Sequence, residues 1–207
     1  MKKFCIIAVD YENHVPRDEN NQYKTSIFKG LTSLSNQTFK NFNVVICHDG
    51  PKSKTYEEEG INLEAYGFDY SVINTPERMS DWGHSSRDFA MRYAYENELG
   101  EYFIQFNIDN EFFPNAFEII NNYINDFQSQ VFTFQVHHWK AAGGGIFPAD
   151  NPVVCGIDCM QLVAHRNIWK EINFWYDRSG CSDGEIYKNI CNTYHWVPIH
   201  SCLGHNY

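Results

Sequence analysis

No long apolar run, dense basic cluster, repeat or low-complexity tract occurs in this chain of 207 residues. Each absence excludes a class of protein. No segment reaches the roughly 20 apolar residues a helix needs to span a bilayer. The opening MKKFCIIAVDYENH has a short apolar stretch, but Asp10 breaks it and no small-residue cleavage site follows, so it does not read as a secretory signal. Positive charge is scarce, with 16 Lys and Arg against 26 Asp and Glu and a formal net charge of -10. Such a field repels a phosphate backbone, so no nucleic-acid polymer is expected as partner. The seven cysteines are odd in number, and several lie inside apolar runs, where a free thiol packs as a small hydrophobe. Cys155 and Cys159 lack a second matching pair, which argues against a structural zinc site. The expectation is a soluble, cytoplasmic chain in a reducing compartment.

What is present is a core. The chain is 43% hydrophobic and 16% aromatic, which excludes disorder, a collagenous repeat and a small stapled scaffold. Phe4 to Val9 is a continuous apolar run of the kind buried on both faces of a parallel sheet. Ile27, Phe28, Leu31 and Leu34 then recur at helical spacing, with Gly30 the weak point, and Asn43 to Cys47 is a second strand ending in the turn His48-Asp49-Gly50-Pro51. Strand, helix, strand makes a βαβ unit. Tyr70 to Ile73 reads as a third strand. Ser85 or Ser86 is placed to cap a helix burying Phe89, Ala90, Tyr93 and Ala94. Tyr102 to Ile108 is a strand, Pro114 is placed to open a helix with a stripe of Phe117, Ile120, Ile124 and Phe127, and Val131 to Val136 is another strand. Later elements are less regular: a loop at Gly143-Gly144-Gly145, a strand at Met160 to Ala164, a helix from Ser182 to Cys191, and a short strand at Trp196 to Ile199. The pattern is a single α/β domain with an irregular C-terminal third.

Ligands of open parallel sheets collect outside the carboxyl ends of the strands. Asp10, Asp49 and Asp109 all fall at predicted strand ends, where a carboxylate can hold a hard cation or hydrogen-bond to a ribose or base. Ser182-Asp183-Gly184-Glu185 has two readings. Ser182 with Glu185 has the spacing of a capping box, and Asp183 favours the helix dipole. The capped end is also a rigid mount for a reactive carboxylate.

The stretches IIAVDYEN, LTSLSNQTFKNFNVVICHDGPKS and RDFAMRYAYENELGEYFIQFNIDNEFFPNAFE, in that order and spacing, resemble a family 2 glycosyltransferase of the GT-A fold. The likeness covers roughly the first 120 residues. It implies a Rossmann-like domain over residues 1–207 with a mostly parallel central sheet flanked by helices, residues 1–111 binding the nucleotide and 112–207 the acceptor. It implies an enzyme that moves a sugar from a nucleotide-diphospho-sugar, expected to be UDP-linked, onto a carbohydrate or other hydroxyl acceptor, with Mn²⁺ or Mg²⁺ as cofactor.

Carried across by position, the resemblance puts the nucleotide near Val9, Asp10, Tyr11 and Asp49, with Arg87 as a diphosphate or base contact. The family's DxD-like element falls on Asn107, Ile108, Asp109 and Glu111. Asp109 takes the metal position, Glu111 is a possible second ligand, and Ile108 stands where many relatives have an acid. The histidine that metal-dependent relatives return to the cation from their C-terminal region corresponds to His205, and Asp183 takes the place of the general base of inverting relatives, with Glu185 the next candidate. The glycines at 143–145 fit a loop beside the donor sugar, and of His137 and His138, which alternate along a strand, at most one need face the site. Two other readings compete. A sugar-phosphate nucleotidyltransferase needs a Gly-rich, Arg-containing loop after the first strand, which Asp10-Tyr11-Glu12-Asn13 does not supply. A non-catalytic carbohydrate- or nucleotide-binding module is suggested by five tryptophans.

Overall fold

A computed structural model describes residues 1–10, 27–138, 145–150, 157–177 and 179–206. Its elements run β1 (Lys2–Asp10), α1 (Ile27–Ser35), β2 (Phe42–His48), β3 (Asp69–Asn74), α2 (His84–Glu96), β4 (Gly100–Asn107), β5 (Glu111–Phe112), α3 (Ala116–Phe127), β6 (Val131–His138), β7 (Ile146–Phe147), β8 (Leu162–His165), α4 (Arg166–Glu171), α5 (Ser182–Thr193) and β9 (Trp196–Asn206). Tyr11, Gly143, Gly144 and Cys155 lie outside the described residues.

The strands form one sheet in the order β3-β2-β1-β4-β8-β6-β9-β5, with β7 paired to β6. The first half is parallel, β1 lying between β2 and β4 and β2 pairing β3. Beyond β4 the sheet turns mixed: β8 is antiparallel to both β4 and β6, β9 is parallel to β6, and β5 is antiparallel to β9. The expected mostly parallel sheet is therefore corrected to a mixed one. The parallel strands need helical crossovers, which α1 and α2 supply, whereas the later strands are joined without that constraint.

Alternation along β1 shows why its sequence is apolar throughout. Phe4, Ile6 and Ala8 join a core with Leu31 and Leu34 of α1 and Phe117 and Ile120 of α3. Cys5 and Ile7 point the other way, to Ala90, Met91 and Ala94 of α2, Trp169 of α4 and Ile186 of α5. Both faces of the strand are thus covered. Cys5 and Cys47 are free and buried, and burial pushes the Cys47 thiol up to about 12, as fits thiols that pack rather than react. Cys181 differs, because it is disulfide-bonded.

Gly30 has a packing reason. A Cβ there would lie 1.9 Å from the carbonyl oxygen of Ile108, so α1 touches the turn after β4 directly, and only a residue without a side chain allows it. Other local expectations are corrected. The N-cap of α2 is Gly83, at φ 80°, not Ser85 or Ser86; the Asp81 carboxylate accepts from the Ser85 amide instead. Asn115 precedes α3, so Pro114 lies in the approach to the helix, where its carbonyl accepts from Thr38 N. Phe89 and Phe127 are exposed, leaving Met91 to share the α2 core face with Ala90 and Ala94. α4, at six residues, is too short for a periodic signal. The last strand extends well past Ile199 to Asn206. Among the described residues, no helix is long and apolar enough to cross a membrane.

Candidate functional site

The carboxyl ends of β1, β2 and β4 lie side by side, with Asp10 opposite His48 and Val9 opposite both Cys47 and Asn107. The carboxylates along this edge have different surroundings. Asp10 Oδ2 accepts from the Tyr56 hydroxyl at 2.5 Å and lies 3.9 Å from Lys52 Nζ. Asp49 is only 3% exposed, and its oxygens accept from the Met79 and Ser80 amides, each at 2.9 Å. Asp49 thereby ties down the segment between β3 and α2, in which Ser80, Trp82 and Gly83 all have positive φ. Gly83 packs under Val9, whose Cγ1 would meet an added Cβ at 2.7 Å.

Arg87, on the first turn of α2, is the centre of the site. It is 3% exposed. Nη1 donates to the Trp82 carbonyl at 2.9 Å, and Nη2 donates to Asn107 Oδ1 and, at 3.5 Å, to Cys159 Sγ. Its guanidinium lies 5.4 Å from the Trp175 ring centroid, and Nε has no hydrogen-bond partner among the described residues. Arg87 and Asn107, both singled out by the resemblance, are thus in direct contact. Ile108 is buried and donates its amide to the Val9 carbonyl, so it serves the join between β1 and β4.

Around this cation gather groups that sequence reasoning missed. Asp158 caps the short 3₁₀ turn Cys159–Gln161, its Oδ1 accepting from Met160 N at 3.0 Å while Gln161 reciprocates. The D-x-x-Q spacing is a capping-box pattern and could have been read. Oδ2 of Asp158 accepts from Asn206 Nδ2 at 2.5 Å and lies 3.7 Å from His138 Nε2. Burial pushes the Asp158 carboxyl up, Arg87 pulls it back and the charge of Asp109 adds to the rise. Asp183, half-buried in the first turn of α5, is likewise pushed up by burial; Arg87 lowers it and Asp158 raises it further. The donor atoms of Asp158, Cys159 and Asp183 lie within 4.8 Å of one another.

This trio does not suit a cation. The Cys159 thiol is pushed well above its ordinary value, first by burial, and Arg87 already donates to it. Asp109 is better disposed: it is half-buried in the turn that follows β4, and a single carboxylate there can share a divalent ion with a diphosphate. Glu111 and His205 face each other across the β5–β9 ladder. The His205 ring stacks on His137 at 4.9 Å and meets Phe113 edge-on at 5.0 Å. Among the described residues, Asp109, Glu111 and His205 do not form a group with donor atoms within 4.8 Å of one another. Burial, and then His137, hold the His205 imidazole below its ordinary value.

Glu185 is exposed, and the capping box expected of it is absent: the N-cap of α5 is Cys181, with no side-chain cap. Ser182 turns inward instead, fully buried beside His84 and Trp175.

Comparison with solved structures adds a fold relationship. The chain is similar to S. aureus TarS 1–349 in complex with UDP, with a TM-score of 0.74 at 14% identity over 99% of this chain and 60% of that one. For the complex with UDP-GlcNAc the TM-score is 0.73 at 15% identity, over 99% of this chain and 58% of that one. The chain spans 60% or less of the length of these structures. It shares the fold of these structures. No protein-family model matches the chain, and no curated protein matches it.

Proposed function

We propose that this chain transfers a sugar from a UDP-sugar to a hydroxyl acceptor, with Asp183 as the base. One observation carries the reading. On a fold shared with a protein crystallised with UDP and UDP-GlcNAc, the ligand edge of the sheet holds one buried arginine facing two carboxyls that burial has made more basic. A carboxylate with a raised pKa suits general-base work, because a sugar hydroxyl must lose its proton as the new bond forms. The base works at the rigid start of a helix: the acceptor oxygen attacks the anomeric carbon as Asp183 takes its proton, and the bond from that carbon to the diphosphate oxygen breaks to release UDP. This is the single-displacement, inverting course.

Val9, Asp10 and Asp49 line the nucleotide side in this reading, and Tyr11, which lies outside the described residues, is assigned to it by the resemblance alone. Asp49 shapes the Met79–Ser80 segment, and Arg87 with Asn107 closes the floor beneath the diphosphate. Asp109 would hold Mn²⁺ or Mg²⁺ together with the diphosphate; Glu111 and His205 are further ligands on the resemblance alone, since their donor atoms do not gather with that of Asp109. The ion, when bound, offsets charge on the leaving diphosphate.

Calorimetric titration of UDP with and without Mn²⁺ tests the binding half. Metal-assisted binding in the wild type that is lost in Asp109→Ala, with circular dichroism unchanged, is the expected result. Equal UDP affinity in both proteins removes Asp109 from the site. Release of UDP from a panel of UDP-sugars tests the transfer itself, and a chain that binds UDP but never turns over is a binding module instead.

A further inference from the structure

The buried contacts behind Asp183 form a directed chain. Trp175 Nε1 lies 3.2 Å from His84 Nδ1 and 3.3 Å from Ser182 Oγ. The His84 ring stacks nearly parallel to Trp175, at 13°. Ser182 Oγ is 3.1 Å from His84 Nδ1, 3.2 Å from His84 Nε2 and 3.5 Å from Asp183 Oδ1. Ser182 and Trp175 are 0% exposed and His84 5%, so water does not compete for these groups.

Counting protons orders the chain. An indole N–H only donates, and its two acceptors are His84 Nδ1 and Ser182 Oγ; with Nδ1 as the acceptor, a neutral imidazole carries its proton on Nε2. Ser182 Oγ lies against both ring nitrogens. The hydroxyl has one proton left to give and two candidate acceptors, the imidazole nitrogen and the carboxylate. A carboxylate is the stronger acceptor, and charge-assisted bonds are stronger than neutral ones. The 3.5 Å separation is long, as catalytic hydrogen bonds often are before substrate is bound.

We infer that His84 is a positioning residue for the base: held by Trp175, it directs the Ser182 hydroxyl proton onto the Asp183 carboxylate. The inference rests on the reading of Asp183 as base and adds to it the group that aims it. The chain fixes one oxygen of Asp183 and leaves the other for the acceptor hydroxyl. It also accounts for Ser182 being drawn inward in place of the expected capping box. The groups that face Asp183 are Arg87 and His84 from α2, Asp158 and Cys159 from the 3₁₀ turn, and Tyr187 on α5 itself; of these, Arg87, Asp158, Cys159 and Tyr187 stay in place in the variants below.

The test has two independent arms on the full chain. Long-range ¹⁵N–¹H spectra assign the His84 tautomer; the Nε2–H form is expected, and the Nδ1–H form overturns the proposal whatever the activity. In the second arm, UDP release from UDP-GlcNAc, UDP-glucose and UDP-galactose with Mn²⁺ is followed against pH. Ser182→Ala and His84→Phe should each lower kcat about tenfold, the scale of one hydrogen bond to an ionised group. Each should also move the acid limb of kcat/KM to higher pH and leave UDP affinity unchanged. His84→Gln, which retains a donor amide, should recover much of the loss. Wild-type profiles in Ser182→Ala and His84→Phe overturn the proposal. Full activity in Asp183→Asn instead sinks the reading of the base, a failure recognisable because the tautomer is unaffected by it.

Discussion

The two ends of the ligand edge use carboxylates in opposite ways. On the side of β1 and β2, Asp10 and Asp49 have their oxygens occupied by partners within the chain: the Tyr56 hydroxyl for one and two backbone amides for the other. On the side of β4 and α5, Asp158 and Asp183 crowd one another around a single buried guanidinium, and both are pushed up by their burial. The first arrangement builds loops. In the proposed reading the second leaves Asp183 poised to exchange a proton, and the contrast between the two pairs is what that reading rests on.

The largest expected effect is therefore Asp183→Asn, which should lower kcat by on the order of a hundredfold to ten-thousandfold, the range of general-base catalysis, with UDP affinity retained. Initial rates beside calorimetry measure both, and near-normal turnover would erase the contrast. The same carboxyls set a pH dependence. Their folded-state values lie above the ordinary carboxylate value of 3.8, burial being the first cause, so the folded state binds more protons in that window. Their contribution to stability is largest below 3.8, falls as pH rises towards the folded values, and stays lost above them. Denaturation midpoints of Asp158→Asn should fall less steeply than wild type across that window; identical slopes would remove Asp158 from the account.

Removing the cation tests the crowding from its other side. Arg87→Met keeps apolar bulk against Trp175 but leaves Asp158 and Asp183 without the charge that lowers them, and it releases Asn107 and the Trp82 carbonyl. Breaking a buried charge cluster in this way costs about 3 to 5 kcal/mol, which urea denaturation reads directly. A loss under about 1 kcal/mol would mean that the two carboxyls are neutral in the wild type and need no cation.

Much of the fold was legible because burial on both faces of a parallel sheet leaves a continuous apolar signature, and β1, β2 and β4 carry it. α1 was legible despite Gly30, whose reason lies in a backbone contact with Ile108 far along the chain. The mixed half was harder to read. α4 is shorter than the period that would announce it, and β9 is interrupted by polar residues because its pairing with β6 shifts register. In the site, Arg87, Asn107 and Asp183 were visible through motif position. Asp158 was not, since it lies at no strand end and its capping pattern was passed over, and His84 acquires its place only when α2 and α5 meet beside Trp175. Sequence spacing cannot show contacts made between helices about a hundred residues apart.

A smaller effect distinguishes the loop-building carboxylates. In Asp49→Asn one oxygen becomes an amide that cannot accept from Met79 N or Ser80 N, so one of those buried amides loses its partner. The cost should be about 1 to 3 kcal/mol of stability. UDP affinity should fall with the displaced segment. Unchanged melting with weakened UDP binding would instead make Asp49 a direct reader of the base, and the two ends of the edge would differ less than their geometry suggests.

The smallest effect is expected at Glu185, two residues from Asp183 and the natural rival for its role. The helix separates them. Asp183 turns towards Arg87 and Asp158, whereas Glu185 is exposed on the first turn of α5 and makes no capping bond. An exposed carboxylate on that face does not look into the buried site around Arg87, so it has nothing to recommend it as a base at this position. What it can do is favour the helix dipole, a contribution of about 0.3 to 1 kcal/mol. Glu185→Gln should accordingly keep kcat within about a factor of two and shift the denaturation midpoint only slightly, since surface changes of this kind cost about 0.5 kcal/mol or less. If Glu185→Gln instead loses turnover while Asp183→Asn keeps it, the proton leaves through solvent, and the crowded carboxyls around Arg87 are a scaffold.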